Sequence, residues 1–263
     1  MKIGFLGCGN MGGALAVSVR AACPAAEILL CDRNKERAAA LAGELHANVC
    51  TSEELVRRSD YVFLGVKPQV LPGVLTAIFG LLPSPAPVFV SMAAGVPLAT
   101  IEEKLGAVPL IRIMPNTPVS VGKGSILYTL TDPVTEEQEK DFLAMMRKAG
   151  ELHKLPEQLI DAGCALSGCG PAYVFLFLEA LADGGVACGL SRADARRLSA
   201  ETVLGSAALA LASDASPAEL KDAVCSPAGS TIAGVAALES GAFRASVMQA
   251  VAEAYRRTRE LGK

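Results

Sequence analysis

The stretch Gly7-Cys8-Gly9-Asn10-Met11-Gly12-Gly13 constrains this chain more than any other. It contains G-x-G-x-x-G, comes directly after the apolar run Ile3-Gly4-Phe5-Leu6, and leads into Ala14, Leu15, Val17 and Val19, which read as a helix. A strand, a glycine turn and a helix in that order build a site for a dinucleotide pyrophosphate. Gly7 permits the tight turn, and Gly9 lets phosphates approach the backbone. Gly12 lets the helix pack closely on the strand, whose helix N-terminus offers free N–H groups and a positive dipole end. Gly7, Gly9, Asn10, Met11 and Gly12 are therefore candidate coenzyme contacts. An ordinary glycine-rich turn is the alternative, and the flanking strand and helix argue against it.

Composition narrows the field. Hydrophobic residues make up 51% of the 263 and charged residues 19%, which places the chain among folded proteins with a sizeable core and room for two domains. The formal net charge is −3 and no basic block occurs, so nucleic acid or an anionic membrane is not expected as a partner. Eight cysteines without C-x-x-C spacing, and only His46 and His153, give no metal-site pattern and read as reduced, mostly buried thiols. Met1-Lys2 runs straight into the first strand, so a cytoplasmic location without a signal peptide is expected. Pro68 to Ile101 carries no charge and is long enough for a bilayer, but six prolines interrupt it. The expectation there is a short helix, a buried strand at Val88-Phe89-Val90, and loops.

Strands and helices alternate through the first part. Glu27–Cys31, Tyr61–Leu64, Val88–Ser91 and Leu110–Met114 read as apolar strands. Lys35–Leu45 reads as a helix with Ala38, Leu41, Ala42 and Leu45 on one face, and Ser52 as the cap of the next. Thr135-x-x-Gln138 looks like a capping box opening a helix to Lys148. This pattern implies a buried parallel sheet with helices on both faces. After about Glu157 the strand pattern ceases, and Ala172–Leu181, Arg192–Ala212, Pro217–Val224 and Phe243–Leu261 read as helical. The division expected is a dinucleotide-binding domain over 1–157 and a helical substrate-binding and dimerisation domain over 158–263. Thr202–Ser213 has no charge and is apolar around most of its circumference. Dimerisation through it is the expectation, and packing on the first domain the alternative.

Site candidates cluster at strand ends, where open α/β sheets bind ligands. Asp32, ending the second strand, could accept from ribose hydroxyls and favours NAD; Arg33 could pair with a 2′-phosphate and favours NADP. Val66, Lys67 and Pro68 follow the strand Tyr61–Leu64. Ala94 sits in the small-residue loop Ser91–Gly95, which would admit a flat ring. Asn116, a further candidate coenzyme contact, lies between two prolines after Leu110–Met114, where a purely structural turn is an equal alternative. Further on, Ser226-Pro227-Ala228-Gly229-Ser230-Thr231 joins two helices and would present N–H groups and hydroxyls suited to a carboxylate.

Together, Val66-Lys67-Pro68-Gln69, Met114-Pro115-Asn116-Thr117-Pro118, Ser167-Gly168-Cys169-Gly170-Pro171-Ala172-Tyr173 and Asp222-Ala223-Val224-Cys225-Ser226-Pro227, leading to Thr231, resemble the pyrroline-5-carboxylate reductase family over essentially the whole chain. The resemblance implies an α/β Rossmann-type dinucleotide-binding domain followed by an all-α C-terminal dimerisation domain, and dimers assembled into a larger homo-oligomer. It also implies NADPH or NADH as donor and 1-pyrroline-5-carboxylate as substrate, reduced to proline. On the same grounds Ser226, Gly229, Ser230 and Thr231 would hold the carboxylate, and Thr231 would lie beside nicotinamide and substrate as the catalytic residue. Four positions depart from the family pattern: Ala228 and Ser230 in the carboxylate loop, Cys169 where serine is common, and Asp32 where NADP-preferring relatives often carry a neutral residue.

An imine protonates near neutral pH, so such a site needs orientation more than acid–base machinery, which suits a chain with no histidine after His153. A β-hydroxyacid dehydrogenase would use a lysine early in the helical domain, and Ser167 to Gly189 contains neither Lys nor His. A dinucleotide sensor would keep the glycine loop but need no carboxylate pocket.

Overall fold

The computed structural model describes residues 1–261, which divide into two compact units: Met1–Cys169 together with the chain from Ala254 onward, and Gly170–Glu253. The boundary expected after residue 157 lies N-terminal to this division, at the start of a helix.

The first unit is built from β1 (Lys2–Leu6), α1 (Asn10–Ala22), β2 (Glu27–Cys31), α2 (Lys35–Leu45), β3 (Asn48–Val49), α3 (Ser52–Arg58), β4 (Tyr61–Leu64), α4 (Leu71–Phe79), β5 (Val88–Ser91), α5 (Leu98–Leu105), β6 (Leu110–Met114), β7 (Gly124–Leu130), α6 (Glu136–Met146), β8 (Gly150–Lys154) and α7 (Glu157–Gly163). The sheet order is β3-β2-β1-β4-β5-β6-β7-β8, so the chain reverses its direction of growth between β1 and β4. Pairing is parallel except for β6 with β7, which run antiparallel. β7 and β8 were not anticipated. β8 carries Glu151, His153 and Lys154 on the sheet edge and so lacks an apolar run, and charges on an edge discourage pairing with another sheet.

Apolar side chains alternate across the strands into two layers. Ile3, Phe5, Phe63, Val90 and Ile113 face α1, α2 and α6, with Phe5 stacked on Phe63 at 4.6 Å. Leu29, Val62, Leu64 and Phe89 face α3, α4 and α5. The helix starts follow local chemistry. Thr51, not Ser52, caps α3, because the capping box needs Glu54 three residues on. Thr135 and Gln138 form the expected box at α6, which ends at Met146 rather than Lys148, before the chain enters β8. The charge-free stretch Pro68–Ile101 folds into α4, β5 and the first turn of α5.

One buried cation bolts α7 to the sheet. Arg112, in the middle of β6, is 2% exposed. Its Nη1 lies 3.3 Å from Glu157 Oε1 and its Nη2 donates to Asp161 Oδ1 at 2.6 Å. Glu157 Oε1 also accepts from Leu98 N at 2.7 Å, satisfying an unpaired N–H at the start of α5.

A turn of π-helix, Cys164–Gly168, links α7 to α8 (Gly170–Ala187), and α9 (Arg192–Ala212), α10 (Pro217–Val224), α11 (Ser230–Ser240) and α12 (Phe243–Leu261) complete the chain. Ser216 and Glu219 cap α10 reciprocally, as expected. Within the second unit Phe177 packs on Phe243 at 5.9 Å, and Tyr173 Oη donates to Ala250 O at 3.3 Å. Yet α10 and α11 bury no residue, and Phe175, Leu176, Leu204, Leu211 and Met248 are exposed. A groove of about 420 Å³ runs between α8, α11 and α12, lined by Leu176, Phe177, Leu238, Phe243 and Val247. Among the described residues, the helical run Glu157–Ala187 is also long and apolar enough, by length and composition alone, to cross a membrane. Exposed apolar area on this scale marks an interface.

Replacing Arg112 with Met would leave Glu157 and Asp161 without their cation. The expected loss is on the order of 1 kcal/mol of unfolding free energy, because Glu157 and Asp161, at 33% and 27% exposed, are partly taken up by water once the guanidinium is gone. A urea denaturation midpoint equal to that of the unaltered protein would contradict this role.

Candidate functional site

Four loops follow the carboxyl ends of β1, β4, β5 and β6, which are neighbours in the sheet, and the first two flank the point where strand order reverses. Sequence position placed Gly7–Gly12, Val66–Pro68, Ala94 and Asn116 on these loops, and the fold brings all four loops to one edge of the sheet.

The glycine loop depends on backbones in close contact. Gly7 sits at φ +105°, a conformation side chains rarely adopt, and its N–H donates to Cys31 O at 2.7 Å. A Cβ on Gly65 would come within 2.5 Å of Gly7 O, and one on Gly12 would come closer still. In the sequence Gly65 stands only between the strand Tyr61–Leu64 and Val66-Lys67-Pro68. Its signal was a glycine directly after an apolar strand, beside the Lys67-Pro68 turn. Gly9 differs: a Cβ there would meet nothing nearer than Arg37 Nη1 at 3.9 Å, so the space over it is open. Gly9 is also the N-cap of α1 and supplies no side chain, so the first N–H groups of α1 remain available to an anion. Asn10 is exposed and Met11 half-buried on that first turn.

Asp32 joins this loop to the next. Its Oδ2 accepts from Cys8 N and its Oδ1 from Asn34 N, each at 2.7 Å. The carboxylate thus braces the glycine loop against the turn into α2, where Arg33, Lys35 and Arg37 are exposed. Cys8 lies 3% exposed beneath the loop. Burial, with the negative charge of Asp32 beside it, pushes its thiol up to about 12. It is therefore neutral across the physiological range and unsuited to nucleophilic work.

Beyond β4, Lys67 is exposed, and its carbonyl accepts from Val70 N at 2.9 Å and Leu71 N at 3.1 Å, so Pro68 lies in the turn that opens α4. Val66 packs partly into the core. Ala94 lies half-buried against Met114, Leu127, Ile160 and Cys164. Asn116 is 8% exposed, and its amide is engaged at both ends: Oδ1 accepts from Ser125 N and Nδ2 donates to Ser167 O, each at 2.9 Å.

In the second unit, Gly229 caps α11 without a side chain, and Ser230 and Thr231 stand exposed on its first turn. Gly229 N donates to Ser226 O at 3.0 Å, and a Cβ on Gly229 would collide with Ser226 Oγ. Ala228 holds φ +57°, the left-handed region, in a residue that carries a Cβ. Residues 226–231 thus form a tight turn that delivers two hydroxyls and an uncapped helix N-terminus together.

Comparison with known proteins agrees with both halves of this description. A family model for pyrroline-5-carboxylate reductase dimerisation matches residues 157–261. One for NADP oxidoreductase, coenzyme F420-dependent, matches residues 2–95. The pyrroline-5-carboxylate reductase of Arabidopsis thaliana is 42% identical over 100% of this chain and 96% of its own length. The chain belongs to the pyrroline-5-carboxylate reductase family. The Escherichia coli enzyme is 38% identical over 100% of this chain and 98% of its own. The crystal structure of Plasmodium falciparum pyrroline carboxylate reductase with NADP bound superposes with a TM-score of 0.90 at 34% identity, covering 100% of this chain and 98% of that one. The pyrroline-5-carboxylate reductase dimerisation model covers the helices whose apolar faces lie exposed here, so homo-oligomerisation accounts for those faces.

Two outcomes follow from this geometry. Gly12→Ala should abolish dinucleotide binding, since the methyl group would displace the Gly7 carbonyl from the loop; titration calorimetry with NADPH checks it, and unchanged affinity would refute the close packing. Iodoacetamide at pH 8 should leave Cys8 unmodified in the folded protein, as mass spectrometry of the digested peptides would show.

Proposed function

We propose that this chain reduces 1-pyrroline-5-carboxylate to L-proline, the last step of proline biosynthesis, with NADPH or NADH as the hydride donor. It is an oxidoreductase acting on a CH–NH group. The observation that carries the reading is the pairing, in one chain, of an open glycine loop at an uncapped helix N-terminus with a second uncapped helix N-terminus bearing Ser230 and Thr231. The first suits a pyrophosphate and the second a carboxylate. A sensor that only binds dinucleotide has no use for the second.

When bound, the reduced nicotinamide supplies a hydride to the C=N carbon. Gly7, Gly9, Asn10, Met11 and Gly12 hold the pyrophosphate, and Val66, Lys67 and Pro68 flank the coenzyme beyond β4, with Ala94 beyond β5. Arg33 and Asp32 lie at the ribose end. Because both Asp32 oxygens already accept backbone N–H groups while Arg33, Lys35 and Arg37 are exposed at that turn, a 2′-phosphate is favoured there and NADPH is the preferred donor. Ser226, Gly229 and Ser230 orient the substrate carboxylate. Thr231 is the catalytic residue: its hydroxyl donates to the substrate, holding the imine carbon in line for hydride. The imine, protonated near neutral pH, needs no further acid.

The chain acts in the cytoplasm, as a homodimer through its helical unit that assembles further into a larger homo-oligomer. Neither nucleic acid nor membrane is a partner.

With proline and NADP⁺ at high pH, the protein should generate reduced coenzyme, visible by its absorbance; binding without turnover would overturn the reading. Thr231→Ala should lower kcat/KM on the order of 10²-fold, the scale of one preorganised donor, and full activity in that variant would remove Thr231 from its role.

A further inference from the structure

We propose that Asn116 is a positioning residue for this reaction, acting through the π turn Cys164–Gly168 and not through contact with the coenzyme. The inference rests on the reductase reading above and says how its coenzyme-side floor is held.

The turn has a carbonyl that its own helix cannot serve. In an α-helix the carbonyl of Ser167 would accept from the N–H four residues on, and that residue is Pro171, which has none. The turn is already distorted at this point, with Cys169 N donating to Cys164 O at 3.0 Å across five residues. Asn116 Nδ2 supplies the missing donor to Ser167 O at 2.9 Å. The other end of the same amide, Oδ1, takes the N–H of Ser125 in β7 at 2.9 Å. One buried side chain therefore ties the loop after β6 to β7 and to the turn.

The consequence reaches the coenzyme edge through packing. Cys164, the first residue of the turn, is 6% exposed and clusters with Met114, Leu127 and Ile160, and Ala94 rests on that cluster. Ala94 belongs to the loop after β5 that would face the nicotinamide. If the turn relaxes, the support under Ala94 shifts. Misplacement of reacting groups by about 1 Å costs on the order of 10²-fold in rate without requiring a change in affinity.

Asn116→Ala should therefore lower kcat by about tenfold to a hundredfold while the dissociation constant for NADPH stays that of the unaltered protein. Asn116→Asp adds a signature that a loss of bulk cannot. Its carboxylate can still accept from Ser125 N but faces the Ser167 carbonyl as a like partial charge. Protonated, it regains a donor for Ser167 O. Burial raises a carboxyl's pKa, so the kcat of this variant relative to the unaltered protein should rise as pH falls from 8 toward 5.5, and that of Asn116→Ala should not. Should Asn116→Asp fail to fold, Asn116→Ala carries the kinetic arm. Amide hydrogen exchange over residues 164–169 reads the same lock without turnover, and should be faster in Asn116→Ala. Weaker NADPH binding with kcat intact would make Asn116 a coenzyme contact and overturn the proposal. So would exchange unchanged over the turn, or an Asn116→Asp profile parallel to that of the unaltered protein. Failure of the unaltered protein to reduce the imine would instead overturn the reductase reading and leave the exchange result to decide the lock.

Discussion

Everything in the first unit that could hold a dinucleotide depends on three backbones touching where no side chain fits. Gly7, Gly12 and Gly65 come from the end of β1, the first turn of α1 and the end of β4, and their mutual approach sets how close α1 can lie to the sheet. That distance in turn aims the free N–H groups of α1 over the reversal point of the strand order. Hydrophobic packing of Phe5 on Phe63 and of the two helical layers holds the elements, and side chains there can answer a small shift with new rotamers at some cost. Contact between main chains has no such freedom, because a carbonyl oxygen cannot repack.

Polar braces of two kinds surround this contact. Asp32 uses one carboxylate to join two loops that approach from different strands. Arg112 uses one guanidinium to hold α7, and Glu157 extends the brace to α5. Each is a buried or half-buried group whose partners are backbone amides or opposite charges, so that the desolvation cost is offset locally. They fix direction more than they add stability. Glycine contacts set the spacing of the site, and these side chains set its orientation.

Much of this was legible in the sequence, for identifiable reasons. β2, α2, β4, β5 and β6 were recognisable because buried parallel strands are uninterrupted apolar runs and α2 shows a helical period. The glycine loop was legible because Gly7, Gly9 and Gly12 have fixed offsets. What escaped were features that depend on a partner far along the chain. β8 is polar because it is an edge, β7 reverses direction, and Gly65 matters only once β4 lies beside β1. Thr51 took the cap expected of Ser52 because the capping box fixes the spacing to Glu54. Asn116 drew attention by its bracketing prolines, but its two bonds run to Ser125 and Ser167, and no local pattern names those partners.

The left-handed conformation of Ala228 limits how the turn before α11 can vary over evolutionary time. An alanine in that region carries a penalty of roughly 1 kcal/mol, which glycine would escape and asparagine would partly relieve. Valine, isoleucine or threonine could not enter it without unwinding the turn. Drift at this position is therefore confined to residues with little or no branching next to the backbone. Of those, alanine leaves the unfolded chain less entropy to lose than glycine does, which offsets only part of the tension in the folded turn.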